Sequence, residues 1–480
     1  MAGTTDTGLG GGAGTEDPGA GSDRTTGSGR TADDAAATGD VTGAATGAAA
    51  VASPSSRPRK SSWTYIGPGI VVAATGVGAG DLVATLIAGS KFGYTLLWAA
   101  VIGCVVKISL AEATGRWHLA TGRTLFDGWR SLGRWTTVYF AIYVVVWGFV
   151  YGATAMSASA LPVVALFPDG PGLKTWAVVT GVVGLVFVWF NRYAVFEKVM
   201  TALIGVMFVV VMYVAIRVAP DLGGAFAGLL PVLPDGSLLY TLGLIGGVGG
   251  TITMAAYGYW VNAKGWTNSS WMKVMRLDNR VAYVTTGLFV VAMLVIGAEL
   301  LHSSNIALTS GDRGLVDLGG VLEDRFGPAT AKLFLVGFFA TSFSSLIGVW
   351  HGVSLMFADF VDRIRRGGTD AGPAPDGDAG AEEVASGARE RSPAFRGYLL
   401  WLTFPPIALL FLNEPFGLVV AYGVLGAFFM PFLALTLIWL LNSSRTPAEW
   451  RNGLLSNVML AAAGLLFVVL CVQQVREIPW

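Results

Sequence analysis

The chain has 480 residues, 53% hydrophobic and 13% charged, with a mean hydropathy of +0.61. That balance excludes an ordinary soluble enzyme and is the composition of a chain that crosses a membrane many times. Lysine plus arginine equals aspartate plus glutamate at 31 each, so net charge points to no nucleic-acid partner. The two cysteines, Cys104 and Cys471, both lie in apolar runs and form neither a disulfide framework nor a Cys-x-x-Cys metal pair.

Residues 1–60 are Gly, Ala, Thr, Ser and Asp with almost no large apolar side chains. Such a segment buries too little surface to offset ordering entropy, and it is read as a disordered tail. Its GLGGGAG run, Gly8–Gly14, precedes no strand–helix unit, so a nucleotide loop is not expected. The first apolar run begins only after residue 60, so a cleavable leader is not expected either.

Eleven hydrophobic segments follow, with cores near 65–89, 94–115, 136–160, 175–190, 195–217, 238–262, 281–301, 332–356, 397–412, 417–441 and 454–473. The first, Thr64–Ser90, organises the rest. It is long and apolar enough to span a bilayer, yet Gly76, Gly78 and Gly80 weaken its middle and Asp81 places a carboxylate there. Broken backbone at membrane depth survives only where protein or a water-filled cavity satisfies the freed N–H and C=O groups. Span one is therefore expected to unwind, with Asp81 facing something polar that crosses the membrane. The plainer alternative is that Asp81 pairs with Lys107, or with a freed backbone N–H, and only holds the break.

Span two carries Lys107 and Glu112, five residues apart and so not facing each other cleanly. They are read as ion-pair partners of other helices or as part of an inner gate. Glu197 opens span five as a structural residue, and Glu299 lies near the outer end of span seven. Span six repeats the theme of span one: Gly246, Gly247, Gly249 and Gly250 crowd its first half, followed by Met254 and Gly258. If both spans unwind, backbone carbonyls of Gly78 and Thr251 become available as ligands. Met254 adds either a soft thioether ligand or a packing group. His351 on span eight is either a proton relay or a packing residue.

Two Gly-interrupted spans five helices apart point to an inverted-repeat transporter with its site at mid-depth. Spans 1–5 and 6–10 form the repeats and span eleven is an addition, giving an all-α polytopic membrane protein of the LeuT type with helices 1 and 6 discontinuous. The chain divides into a 1–60 tail, helices 1–8 over 61–365, a polar loop over 366–395 read as disordered, and helices 9–11 over 396–480. With the N-terminus cytoplasmic, 23 Lys and Arg fall inside and 7 outside, Lys107 lying within span two. The positive-inside rule selects that orientation and puts the C-terminus outside, in a multi-pass protein of the plasma membrane.

Several stretches resemble the Nramp family of proton-coupled divalent-metal transporters. Gly67–Gly69 is similar to the entry of that family's first helix, and AEATGRWHLATG (Ala111–Gly122) to the end of its second. GFFATSFSSLIG (Gly337–Gly348) resembles its eighth helix, with Ser344 and Ser345 paired, and Val419–Ser444 its tenth with the Asn turn that follows. The resemblance covers nearly all of the membrane part. It implies metal binding between helices 1 and 6, at positions where this chain departs from the family. The family's Asp-Pro-Gly-Asn reads Gly78, Ala79, Gly80, Asp81 here, and its Met-Pro-His reads Met254, Ala255, Ala256. The family's tenth-helix glutamine falls on Gly423. The third-helix acids and the ninth-helix arginine of the proton route are missing.

The expected function is therefore secondary transport of a divalent metal cation by a divergent family member, without an enzymatic activity or a resident cofactor. The bilayer and the metal, or a small solute, are the expected partners. The expected site is Asp81, Gly78, Thr251 and Met254, with Lys107, Glu112 and His351 as a gate or proton route. With one carboxylate, weak metal binding is expected. A LeuT-fold carrier of a small organic solute and a non-transporting sensor on a transporter scaffold are the alternatives. An ATP-driven pump is not, since no GxxxxGK[ST] run is present.

Overall fold

Glycine and proline decide where this chain's helices stop. The computed structural model describes residues 67–190, 192–247, 249–302, 313–365, 389–412 and 415–477. The 1–60 tail and most of the 366–395 loop lie outside the described residues.

Among those residues eight helices are long and apolar enough to cross a membrane: Leu97–Thr121, Arg134–Leu166, Leu173–Phe190, Tyr193–Arg217, Ser269–His302, Pro328–Arg365, Ala421–Asn442 and Leu454–Gln473. These are spans two to five, seven, eight, ten and eleven. The other three are interrupted. Span one is Pro68–Gly76 followed by Ala79–Phe92. Span six is Leu238–Gly247, a tight 3-10 turn over Ile252–Met254, then Tyr257–Ala263. Span nine is Pro393–Thr403 and the short Ile407–Leu410, separated at Pro405 and Pro406, which have no N–H to donate to a continuing helix.

The boundaries differ from the sequence reading where polar caps act. Span nine begins at Pro393, inside the stretch read as polar loop, because the Ser392 side chain accepts the Phe395 N–H and caps the helix. Span three runs for 33 residues and continues through Pro162, and span eight for 38.

Equivalent spans of the two repeats pack against each other. Span one contacts six, two contacts seven, and three contacts eight. That pairing is what two inverted halves related by a two-fold axis produce. Spans seven and eight are the most enclosed, whereas four, five and eleven turn much of their surface outward. Outward positions carry apolar side chains such as Ile142, Ile216, Leu435 and Leu465, as a surface facing lipid tails requires.

Candidate functional site

The two breaks meet. A Cβ on Gly76 would lie 2.1 Å from the Gly249 carbonyl carbon and 2.4 Å from the Gly250 nitrogen, so the last turn of Pro68–Gly76 touches the unwound part of span six backbone to backbone. Gly249 and Gly250 have φ of +77° and +85°, left-handed values that glycine adopts without the strain a Cβ brings. The chain then closes into the 3-10 turn, where the Thr251 carbonyl accepts the Met254 N–H at 3.1 Å.

Freed backbone groups at the first break have named partners. Ser345 donates to the Thr75 carbonyl at 2.8 Å, and Tyr151 lies 2.9 Å from the Ser345 hydroxyl. A Cβ on Gly78 would lie 3.2 Å from that same hydroxyl, so span eight lines this break. At the second break the hydroxyls of Thr251 and Thr253 are buried with no hydrogen-bond partner among the described residues, as is that of Thr241 earlier in Leu238–Gly247. Met254 is fully buried beside them in the sequence. Buried polar atoms without partners are uncommon and mark places where something else supplies the bond.

Asp81 lies early in Ala79–Phe92, one turn past the break. Its side chain, and its expected pairing with Lys107, fall outside the described residues. Lys107 is fully buried, and its ammonium donates to the Gly250 carbonyl. It therefore stands at the break of span six. Its nitrogen also lies 5.3 Å from the Phe467 ring centroid, on span eleven. Among the described residues, no three His, Cys, Asp or Glu side chains come together as a metal-holding group.

Glu112 and His351 lie away from this centre. Glu112 accepts from Arg116 at 3.1 Å and from Arg276 at 2.9 Å, joining span two to span seven. His351 accepts the Trp260 indole N–H on Nδ1 at 3.1 Å, and its Nε2 lies 3.2 Å from Glu390. The indole bond needs a lone pair on Nδ1, which assigns the ring proton to Nε2, facing Glu390.

Sequence reasoning missed the residues that hold the Gly67 end shut. The Asp278 carboxylate accepts the backbone N–H groups of Gly67 at 2.9 Å and Gly69 at 2.6 Å, and the Tyr257 hydroxyl at 3.0 Å. It thus caps the first helix of span one from span seven and ties both to the second helix of span six. Lys264 pairs with Glu197 alongside. Asp359 accepts from Tyr259, Thr124 and Arg363 at 2.8 to 2.9 Å, and Arg363 also pairs with Asp127. Asp278 sits in a basic stretch, MKVMRLDNR, so in sequence it looks like one more interfacial charge. The available signal was a lone acid among three cations, Lys273, Arg276 and Arg280.

The opposite end is held differently. Tyr94 donates to Glu299 at 2.5 Å, and the Asp221 N–H reaches the same carboxylate at 3.2 Å. Burial, with Glu299 accepting beside it, holds the Tyr94 phenol above its ordinary range, so it stays a donor. Lys91 donates to Tyr240, and His302 Nδ1 lies 2.9 Å from the Ser90 carbonyl oxygen.

The same fold is found in solved transporters. A manganese transporter of Eremococcus coleocola superposes with a TM-score of 0.69 at 16% identity, covering 87% of this chain and 89% of that one. Mhp1, a nucleobase-cation-symport-1 family transporter, gives 0.52 at 15%, covering 86% and 92%. These likenesses establish the LeuT-type architecture. In sequence, a divalent metal cation transporter of Chromohalobacter salexigens is 28% identical over 268 residues, which are 52% of this chain and 60% of that protein. Its counterpart in Mycobacterium tuberculosis is 25% identical over 311 residues, 62% of this chain and 71% of that one. The family model described as natural resistance-associated macrophage protein-like matches residues 69–476, nearly the whole membrane part, and the chain belongs to the Nramp family.

Proposed function

We propose that the chain moves a divalent metal cation across the membrane by alternating access, holding it where spans one and six break. The observation that carries this reading is the backbone contact of Gly76 with Gly249 and Gly250. It brings two unwound turns to one place, beside buried hydroxyls that lack partners. Carbonyls of Gly78 and Thr251, the Asp81 carboxylate and the Met254 thioether are the proposed ligands. Oxygen donors with one sulfur suit borderline cations such as Mn over strictly hard ones. The relatives named above as divalent metal cation transporters support the same class of cargo.

The Gly67 end is proposed as cytoplasmic, on the 23-to-7 distribution of Lys and Arg. Single cysteines at positions 386 and 310, in a background lacking Cys104 and Cys471, test it with an impermeant thiol reagent on whole cells. Label at 310 and not at 386 is expected; the reverse overturns the orientation. Span three has no acid between Phe140 and Leu161, so transport is expected to depend little on an imposed pH gradient.

Binding calorimetry and proteoliposome uptake with Mn, Cd, Mg and Ca test the cargo. Asp81→Ala is expected to abolish uptake. Met254→Leu, which removes the sulfur at similar volume, is expected to shift preference from Mn and Cd toward Mg and Ca by less than about tenfold, or about 1 kcal/mol. The second reading, a small organic solute, is favoured by the Lys107 ammonium at the break. It replaces the first if the wild-type protein binds none of the four metals.

A further inference from the structure

A carrier that closes around cargo must also close around nothing when it returns. At the junction of the two breaks lie unwound carbonyls and buried hydroxyls, groups that are costly in a protein interior without a positive or donating partner. In this structure that partner is built in. Lys107, ten residues into the helix Leu97–Thr121 and fully buried, places its ammonium on the Gly250 carbonyl, next in the chain to the proposed ligand Thr251. The same nitrogen lies 5.3 Å from the Phe467 ring centroid, within the range of a cation–π contact.

We propose that Lys107 is a tethered return cation. It occupies the helix-six carbonyl in the empty carrier, yields to the incoming cation by moving toward the Phe467 ring, and so lets the carrier return without a co-transported ion. The inference rests on the divalent-cation reading of the site and deepens it. Lys107 is then a positioning residue that competes with cargo for one carbonyl. Removing its charge strengthens cargo binding and penalises the empty return.

The experiment compares two fluxes in proteoliposomes: net Mn uptake into metal-free vesicles, which requires empty return, and Mn–Mn exchange, which does not. In Lys107→Met the ratio of net uptake to exchange is expected to fall at least tenfold. Lys107→Arg, which keeps a cation, is expected to hold the ratio within about threefold of wild type. Calorimetry with Mn on detergent-purified, monodisperse protein gives an independent readout. Lys107→Met should bind about tenfold more tightly, and Phe467→Leu, which removes the alternative resting place, more weakly. An unchanged flux ratio in Lys107→Met overturns the proposal while leaving metal transport in place. If that variant moves nothing in either mode, Mn binding that is unchanged or weaker overturns it. If the wild type neither binds nor moves Mn, the divalent-cation reading fails, and this inference with it.

Discussion

The two ends of the bundle are closed by different chemistry. At the Gly67 end, Asp278, Glu197, Glu112, Asp127 and Asp359 each meet a cation, a helix N-terminus or both, across spans one, two and five to eight and the short helix Leu125–Leu132. At the Tyr94 end, among the described residues, Glu299 accepts from a phenol and a backbone N–H, the Asp221 carboxylate accepts the Gly223 N–H, and the other ties run to hydroxyl and carbonyl oxygens. A single hydrogen bond to a charged group contributes only about 1.5–3 kcal/mol net, since water replaces much of it when it opens. A partly buried charged network adds little net stability, but losing one member leaves the rest unpaired, so it defines its closed geometry sharply. The difference teaches that this conformation is latched at the Gly67 end and lightly held at the Tyr94 end.

The largest expected effect comes from the point both ends share. Gly76→Ala drives a Cβ into the Gly249–Gly250 backbone, where no flexible side chain can give way. Its cost should exceed the about 1–3 kcal/mol of ordinary overpacking, and a loss of monodisperse protein or a sharp fall in Tm on purification checks it. A variant of wild-type stability would show that the breaks do not touch.

Next comes the latched end. Asp278→Ala leaves two buried backbone N–H groups and the Tyr257 hydroxyl without their acceptor, at about 1–3 kcal/mol each. A cysteine replacing the buried Val72, in a background lacking native cysteines, should then react with a thiol reagent at least fivefold faster. An unchanged rate would mean that Asp278 is not the latch.

The smallest effect belongs to the lightly held end. Tyr94→Phe removes the donor to the Glu299 carboxylate and should cost about 1.5–3 kcal/mol in thermal unfolding, with no change in the labelling of the Val72 cysteine. If it opens the Gly67 end as far as Asp278→Ala does, the two ends are not independent and the comparison fails.

How much of this was legible in the sequence follows from what kind of signal each feature leaves. The spans, the two breaks and the repeat are one-dimensional patterns: apolar runs of the right length, and glycines clustered five helices apart. Those were readable, and Gly249 and Gly250 do adopt the left-handed backbone that their clustering suggests. Lys107 was noticed as a buried charge, but which carbonyl it meets depends on how span two packs against span six, 143 residues away. Asp278 was not noticed, because its partners are backbone N–H groups over 200 residues away, which no side-chain pattern announces. Ser392 was visible only as one more polar residue in a polar loop, and its capping bond moved the start of span nine to Pro393.

The contact of Gly76 with Gly249 and Gly250 also limits how this chain can diversify. Where two backbones touch with no side chain between them, no substitution can introduce a new ligand without first separating the helices. On the proposed site, evolution can change the cargo by altering the proposed ligands, Gly78, Asp81, Thr251 and Met254, but cannot place a side chain within the junction. Selectivity is open to drift, while the geometry of the crossing is held fixed by the absence of atoms.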